Sequence, residues 1–352
     1  MQYDFLIVGQ GIAGTTLAME LIAQGSSVVV LDAYNKSSSS QVAAGLFNPI
    51  AFRRVALGWK ANECLKEVQR FYSGQEELTE THLFYAKDIL RIHGSAEEVG
   101  IWNKRMQDPE FSGLLGDTQH ETNSPFYFQP FGVSRVLGGG FVDTRAWLSA
   151  VRRIFLTRNI LREEHFEIRK LEVLQNGIQY KEIRANKVIF CEGADALQNP
   201  WFGHLPFNLA KGDVVIIQAP ALPPEIFNGS IYGIPLGDGV FRVGSTYEWE
   251  FSDALPSQER ALELEDKLKN LIRVPFKIIG HEAGIRPTVK DRRPFLGSHP
   301  ENNSLAIFNG LGTKGILLAP LLAKEMALHL IHGTELSDDV NIARLLSRKS
   351  YS

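Results

Sequence analysis

Three observations predict an α/β fold, α+β over the whole chain, for these 352 residues. A strand–glycine–helix–strand unit opens the sequence, a second strand–glycine–helix unit stands near its end, and short strands separated by turn signals lie between them. Phe5–Val8 is a continuous apolar run, the pattern of a strand buried on both faces. Gly9, Gly11 and Gly14 follow at once. A segment of helical period with Leu17, Ala18, Leu21 and Ile22 on one face then ends at Gly25, before a second buried strand over Val28–Leu31 that ends at Asp32.

Each part of that opening has a physical reason. Gly9 permits the tight turn off the strand, Gly11 lets backbone approach a pyrophosphate, and Gly14 lets helix and strand pack closely. The helix start at Ile12 and Ala13 supplies free N–H groups and a positive dipole end to phosphate. Asp32 is placed to accept hydrogen bonds from ribose hydroxyls. The glycine pattern alone is weak, but strand, glycines, helix, strand and acid in this order predict a Rossmann-like dinucleotide-binding domain. The pattern does not separate FAD from NAD.

Further along, Asp143 reads as the N-cap of an amphipathic helix running to Phe155. Glu167–Val173, Ile178–Ile183 and Lys187–Cys191 read as strands, the last ending at Glu192 and Gly193. Asp213–Ile217, Ser230–Ile234 and Val240–Val243 suggest an antiparallel sheet, and Gln258–Ile272 a charged helix. Leu305–Phe308, the loop from Gly310 to Gly315 and the apolar helix Ile316–His332 form the second strand–glycine–helix junction. Pro320 requires that helix to begin close by or the preceding turn to be irregular. The predicted partition is discontinuous. Residues 1–80, 140–205 and 280–352 form the dinucleotide domain, while 81–139 and 206–279 form a largely antiparallel sheet domain that roofs the ligand.

Composition bounds the rest. The length favours two lobes over one core, and 44% hydrophobic with 22% charged residues is ordinary for a soluble protein. A net charge of −3 gives no reason to expect a nucleic acid. Cys64 and Cys191 are too few for a disulfide framework and fit a reducing compartment. No targeting segment is evident, and the apolar stretch Gly315–Ala323 is interrupted at Lys324. A cytoplasmic protein without a membrane span is expected. The histidines lack ligand spacing, so no metal is expected, and no GxSxG elbow marks a hydrolase.

Three longer segments carry a resemblance. They are Ala43, Ala44 and Gly45 with Leu46–Pro49 after the serine run 37–40; Gly284–Gly297, which contains Arg286 and Pro287; and Phe308–Pro320, with Gly310, Gly312, Thr313, Lys314 and Gly315. Together the chain resembles the D-amino-acid oxidase superfamily of flavoproteins, glycine oxidase and sarcosine oxidase among its members. It is also similar to the flavin domain of the bifunctional enzyme that completes methylaminomethyl-uridine in tRNA. Residues 52–134 match no pattern of the family.

The resemblance implies FAD, with Ala44, Gly45, Gly193 and the 310–315 loop added to its contacts. Lys314 and the helix start after it would face the flavin edge that turns negative on reduction. Arg286 would grip a substrate carboxylate, its planar fork matching two oxygens. Pairing with Asp291 or Glu282 is the structural alternative. Tyr232 would direct its hydroxyl at the same carboxylate, and Tyr247 would stand beside the flavin. Arg242 occupies the place of an oxygen-activating lysine. No cysteine follows Arg286 at the tethering position, so non-covalent FAD is implied. The activity implied is oxidation of the C–N bond of a small amino acid or N-substituted amino acid by hydride transfer, with oxygen or another acceptor closing the cycle. The alternative is removal of a carboxymethyl group from a modified uridine, with Arg152, Arg153, Arg158 and Arg162 as a basic face. Oligomeric state is not legible.

Overall fold

The computed structural model describes residues 1–121 and 123–346. Its first sheet is built on five parallel strands in the spatial order Leu161–Arg162, Val28–Leu31, Gln2–Val8, Ile183–Phe190 and Asn302–Asn309. Alternation of side chains divides the core into two layers. Phe5, Ile7, Val28, Val30, Ile189 and Phe308 meet the helices Ile12–Ala23, Ala61–Thr79, Thr144–Thr157 and Gly315–His332. Leu6, Val8, Val29, Leu31, Val188 and Ile307 face the other way, onto Phe202, Leu205 and Phe295. Continuous apolar runs are what strands covered on both faces require. Gly177–Tyr180, Leu171–Leu174 and Phe295–His299 extend the sheet antiparallel.

The second sheet has seven strands in the order Lys277–Arg286, Ala210–Gln218, Val240–Gly244, Tyr232–Gly237, Ile226–Asn228, Ile89–Ile92 and Val133–Val136. All its pairs are antiparallel except Ile226–Asn228 with Ile89–Ile92. Residues 52–134 thus contribute one of its strands, Ile89–Ile92, and the start of another, Val133–Val136. Lys277–Arg286, which the sequence partition divides at residue 280, runs unbroken beside Ala210–Gln218. A small sheet of Leu46–Phe47, Gly140–Val142 and Phe84–Ala86 stands beside the two larger ones.

Several element predictions change. Glu167–Val173 is not one strand: Ile168–Lys170 is a 3-10 turn, and the strand is Leu171–Leu174. Arg169 and Lys170 both pair with Glu167, a local clasp that suits a turn better than a ladder. The helix expected to reach Ile272 spans Gln258–Lys269, capped by Ser257. Gly315–His332 begins five residues before Pro320 and runs through it. This helix has the length and apolarity to cross a membrane. Here Leu317, Ala319, Leu322, Ala323 and Met326 are buried in the core.

Candidate active site

The carboxyl ends of the parallel strands open into one cavity of about 1070 Å³ that continues beneath the second sheet. Ligands bind at this end of such sheets because the strand-to-helix loops converge there. Gly9 is forced to be glycine, with φ +100° and the Cys191 carbonyl oxygen 2.6 Å from where a Cβ would sit. At Gly14 a Cβ would fall 1.9 Å from the Gly9 carbonyl oxygen. Gly14 therefore does not line the cavity; it is where the first helix meets the turn. Gly11, Ile12 and Ala13 do line it.

The second glycine loop arrives at the same place. The Cβ position of Gly315 lies 3.4 Å from Ile12 Cδ1, so two helix starts from opposite ends of the chain are neighbours. Neither helix has a side-chain N-cap. Apart from the Ile12 amide, their first-turn N–H groups are the donors an anionic or electron-rich ligand would use. Ser40 Oγ accepts from the Ile12 amide at 3.0 Å and closes the cradle from the serine run. Asn309 Nδ2 donates to the Gly193 carbonyl at 3.0 Å and ties the two loops together. Ala44, Gly45, Gly193, Gly312, Thr313 and Lys314 line the cavity, whereas Gly310 lies behind it against Val289. Burial, with the Arg292 charge adding to it, holds the Lys314 ammonium below the usual lysine range. Glycine loops with uncapped helix starts, one at each end of the chain, fit a dinucleotide with a ring system beyond it.

Asp32 lines the cavity with its carboxylate already engaged. Oδ1 accepts from the Gln10 amide at 2.9 Å; Oδ2 accepts from the Tyr34 amide and from Arg152 Nη1, both at 2.8 Å. Arg152 also reaches the Gln10 side chain and Glu163. This arginine was placed by sequence on a basic face; it is buried, and Arg162 pairs with Glu182. These ion pairs draw Arg152 and Arg162 off that face, while Arg153 and Arg158 stay exposed. No local signal joins Arg152 to Asp32, 120 residues away.

Beneath the second sheet, strand register puts Gly212, Val214, Gly284, Arg286, Gly244, Arg242 and Tyr232 on one face. Arg286 and Tyr232 line the cavity, as does Tyr247 on the following loop. The Arg286 guanidinium stands 4.5 Å from the Tyr247 ring centroid and makes long contacts to the carbonyls of Thr246 (3.3 Å) and Lys211 (3.5 Å). Its two candidate partners are taken: Asp291 by Arg344, and Glu282 by Arg145. Among the described residues no carboxylate lies within ion-pair distance of Arg286. Burial pushes the Tyr232 hydroxyl above the usual tyrosine range, against the charges of Arg286 and Arg242.

Arg242 does not reach the cavity. It is buried, its Nη1 donates to the Ala43 carbonyl at 2.9 Å, and its Nη2 stands 3.9 Å from Glu282. It fastens the sheet to the 43–45 loop. Leu46, Ile50 and Phe52, which pack in one cluster with Tyr232, also line the cavity, as do Asn48 and Asn228, and the sequence alone assigns none of the five a role. Both cysteines are buried, the Cys64 thiol pushed up to about 12 by that burial.

Residues 4–328 match the family described as DAO, FAD dependent oxidoreductase. A glycine oxidase of Bacillus licheniformis is 25% identical over 93% of this chain and 92% of its own. The tRNA 5-methylaminomethyl-2-thiouridine biosynthesis bifunctional protein MnmC of Marinobacter nauticus is 24% identical over 92% of this chain but 54% of its own. The crystal structure of glycine oxidase from Geobacillus kaustophilus superposes with a TM-score of 0.79 at 20% identity, covering 97% of each chain. With the two glycine cradles and these matches, the chain belongs to the DAO family of FAD-dependent oxidoreductases.

Proposed function

We propose that the chain oxidises the C–N bond of a small amino acid or N-substituted amino acid. The observation that carries this is the unpaired Arg286 guanidinium at the roof of the cavity. A cation with no acid of the described residues within ion-pair distance, in a half-buried setting, is an anchor for an external carboxylate. FAD, when bound, supplies the hydride acceptor. The chain's own task is then to hold the substrate carbon in place, with Arg286 and Tyr232 fixing the carboxylate and Leu46, Ile50 and Phe52 forming apolar walls. The acidic residues lining the cavity come from Asp32, 164–167 and 192–195, segments of the cofactor half. Among the described residues no carboxylate of the roof sheet lines the cavity, which suits a substrate whose amine reacts in its neutral form. The engagement of Arg152 and Arg162 in ion pairs leaves Arg153 and Arg158 as the exposed arginines of the four a tRNA substrate would meet, which weighs against that reading.

An anaerobic screen of amino acids and N-methyl amino acids, following loss of flavin colour, identifies the substrate. Arg286→Ala should then lower kcat/KM about thirty- to several-thousand-fold, the equivalent of about 2–5 kcal/mol, with FAD content retained. Turnover of the matching amine without its carboxylate should be little changed. Equal damage to both compounds would remove the basis for an amino-acid substrate.

A further inference from the structure

We infer that Gly212 is a positioning residue, whose missing side chain makes the slot in which the Arg286 guanidinium lies. The inference rests on the reading of Arg286 as the carboxylate anchor. A Cβ added at Gly212 would fall 1.9 Å from Arg286 Nη2 and 2.2 Å from both Cζ and Nη1. The three atoms nearest to that position all belong to the guanidinium, which occupies the space a side chain would take. The ring of Tyr247 makes another wall at 4.5 Å, and the Lys211 and Thr246 carbonyls meet Nη1.

The backbone gives no other reason for glycine here. Gly212 lies inside the strand Ala210–Gln218, paired on one side with Gly284, and it is not among the residues with positive φ. An interior glycine weakens a strand, and it persists where another group must approach the backbone closely. The strand's neighbours on the same face, Ala210 and Val214, carry side chains. At Gly284, the partner on the adjacent strand, a Cβ would meet Ser39 and Val42 at 3.3 Å, a contact small shifts can relieve. Only at Gly212 does the side chain's absence belong to the guanidinium. A free arginine samples many rotamers; a slot that holds its plane flat removes that freedom before the ligand arrives.

The test uses the FAD-loaded protein and acetate as a carboxylate probe, titrated through its perturbation of flavin absorbance, with acetamide as the uncharged control. Gly212→Ala should weaken acetate about ten- to a hundredfold, as misplacement by an ångström does, while FAD content and acetamide response stay as in the parent. Arg286→Ala should lose acetate binding similarly, and Gly212→Ala added to it should cost nothing more, because the group it displaces is gone. Acetate binding untouched by Gly212→Ala but lost in Arg286→Ala would overturn the slot and leave the anchor standing. Acetate binding untouched in Arg286→Ala would overturn both. If Gly212→Ala alone does not fold, recovery of folding and FAD content in the double variant supports the slot, and failure of the double variant overturns it.

Discussion

Burial pushes the Glu192 carboxyl up to about 7, with the Asn199 amide at 2.9 Å opposing and Asp195 adding to the rise. The folded chain therefore keeps a proton on Glu192 that the unfolded chain releases near its ordinary value of 4.5. Stability from this group is fully present below that value and is lost as pH rises towards 7. The difference amounts to about 3 kcal/mol at most. Melting of the FAD-free protein should show it: Glu192→Gln should gain on the parent between about pH 5 and 7 and run parallel to it above that. Curves parallel throughout would mean that the folded carboxyl ionises as freely as the unfolded one.

Secondary elements set these side chains in place, and their ends are often decided by one contact. Asp143 accepts from the Ala146 amide at 3.0 Å and starts the helix Thr144–Thr157 that carries Arg152. Asp143→Ala should cost about 1 kcal/mol of unfolding free energy in chemical denaturation. An unchanged midpoint would show that the amide finds another acceptor. The cap was legible because capping is local, as were the strands Val28–Leu31 and Val240–Gly244 and both glycine loops. What was not legible depends on contacts across the chain. Arg152 reads as a surface cation until Asp32 and Glu163 meet it. Arg242 reads as a site residue until the Ala43 carbonyl claims its guanidinium. Gly212 has no turn signal beside it, since its constraint comes from a side chain on the next strand.

On the scale of the molecule, the cavity runs from the ends of the parallel strands to the underside of the roof sheet, with most of its walls formed by loops. A cofactor filling it touches both glycine loops and the roof sheet at once. Removing FAD should lower the melting temperature by several degrees, since a ligand at about a hundred times its dissociation constant contributes about 2.7 kcal/mol. Readdition of FAD should restore the value; equal melting of the two forms would mean that the empty cavity is already rigid.

The parallel pairing of Val188–Phe190 with Leu305–Ile307 has a consequence for synthesis of the chain. The central strand emerges from the ribosome more than a hundred residues before its neighbour, and every roof strand from Ala210 to Arg286 is made in between. At about 5–20 residues per second the nascent sheet waits on the order of 5–20 s with an open edge. Such an edge is a template for wrong partners. The last glycine loop emerges later still, so the nascent chain has no complete cofactor site until the roof has been made.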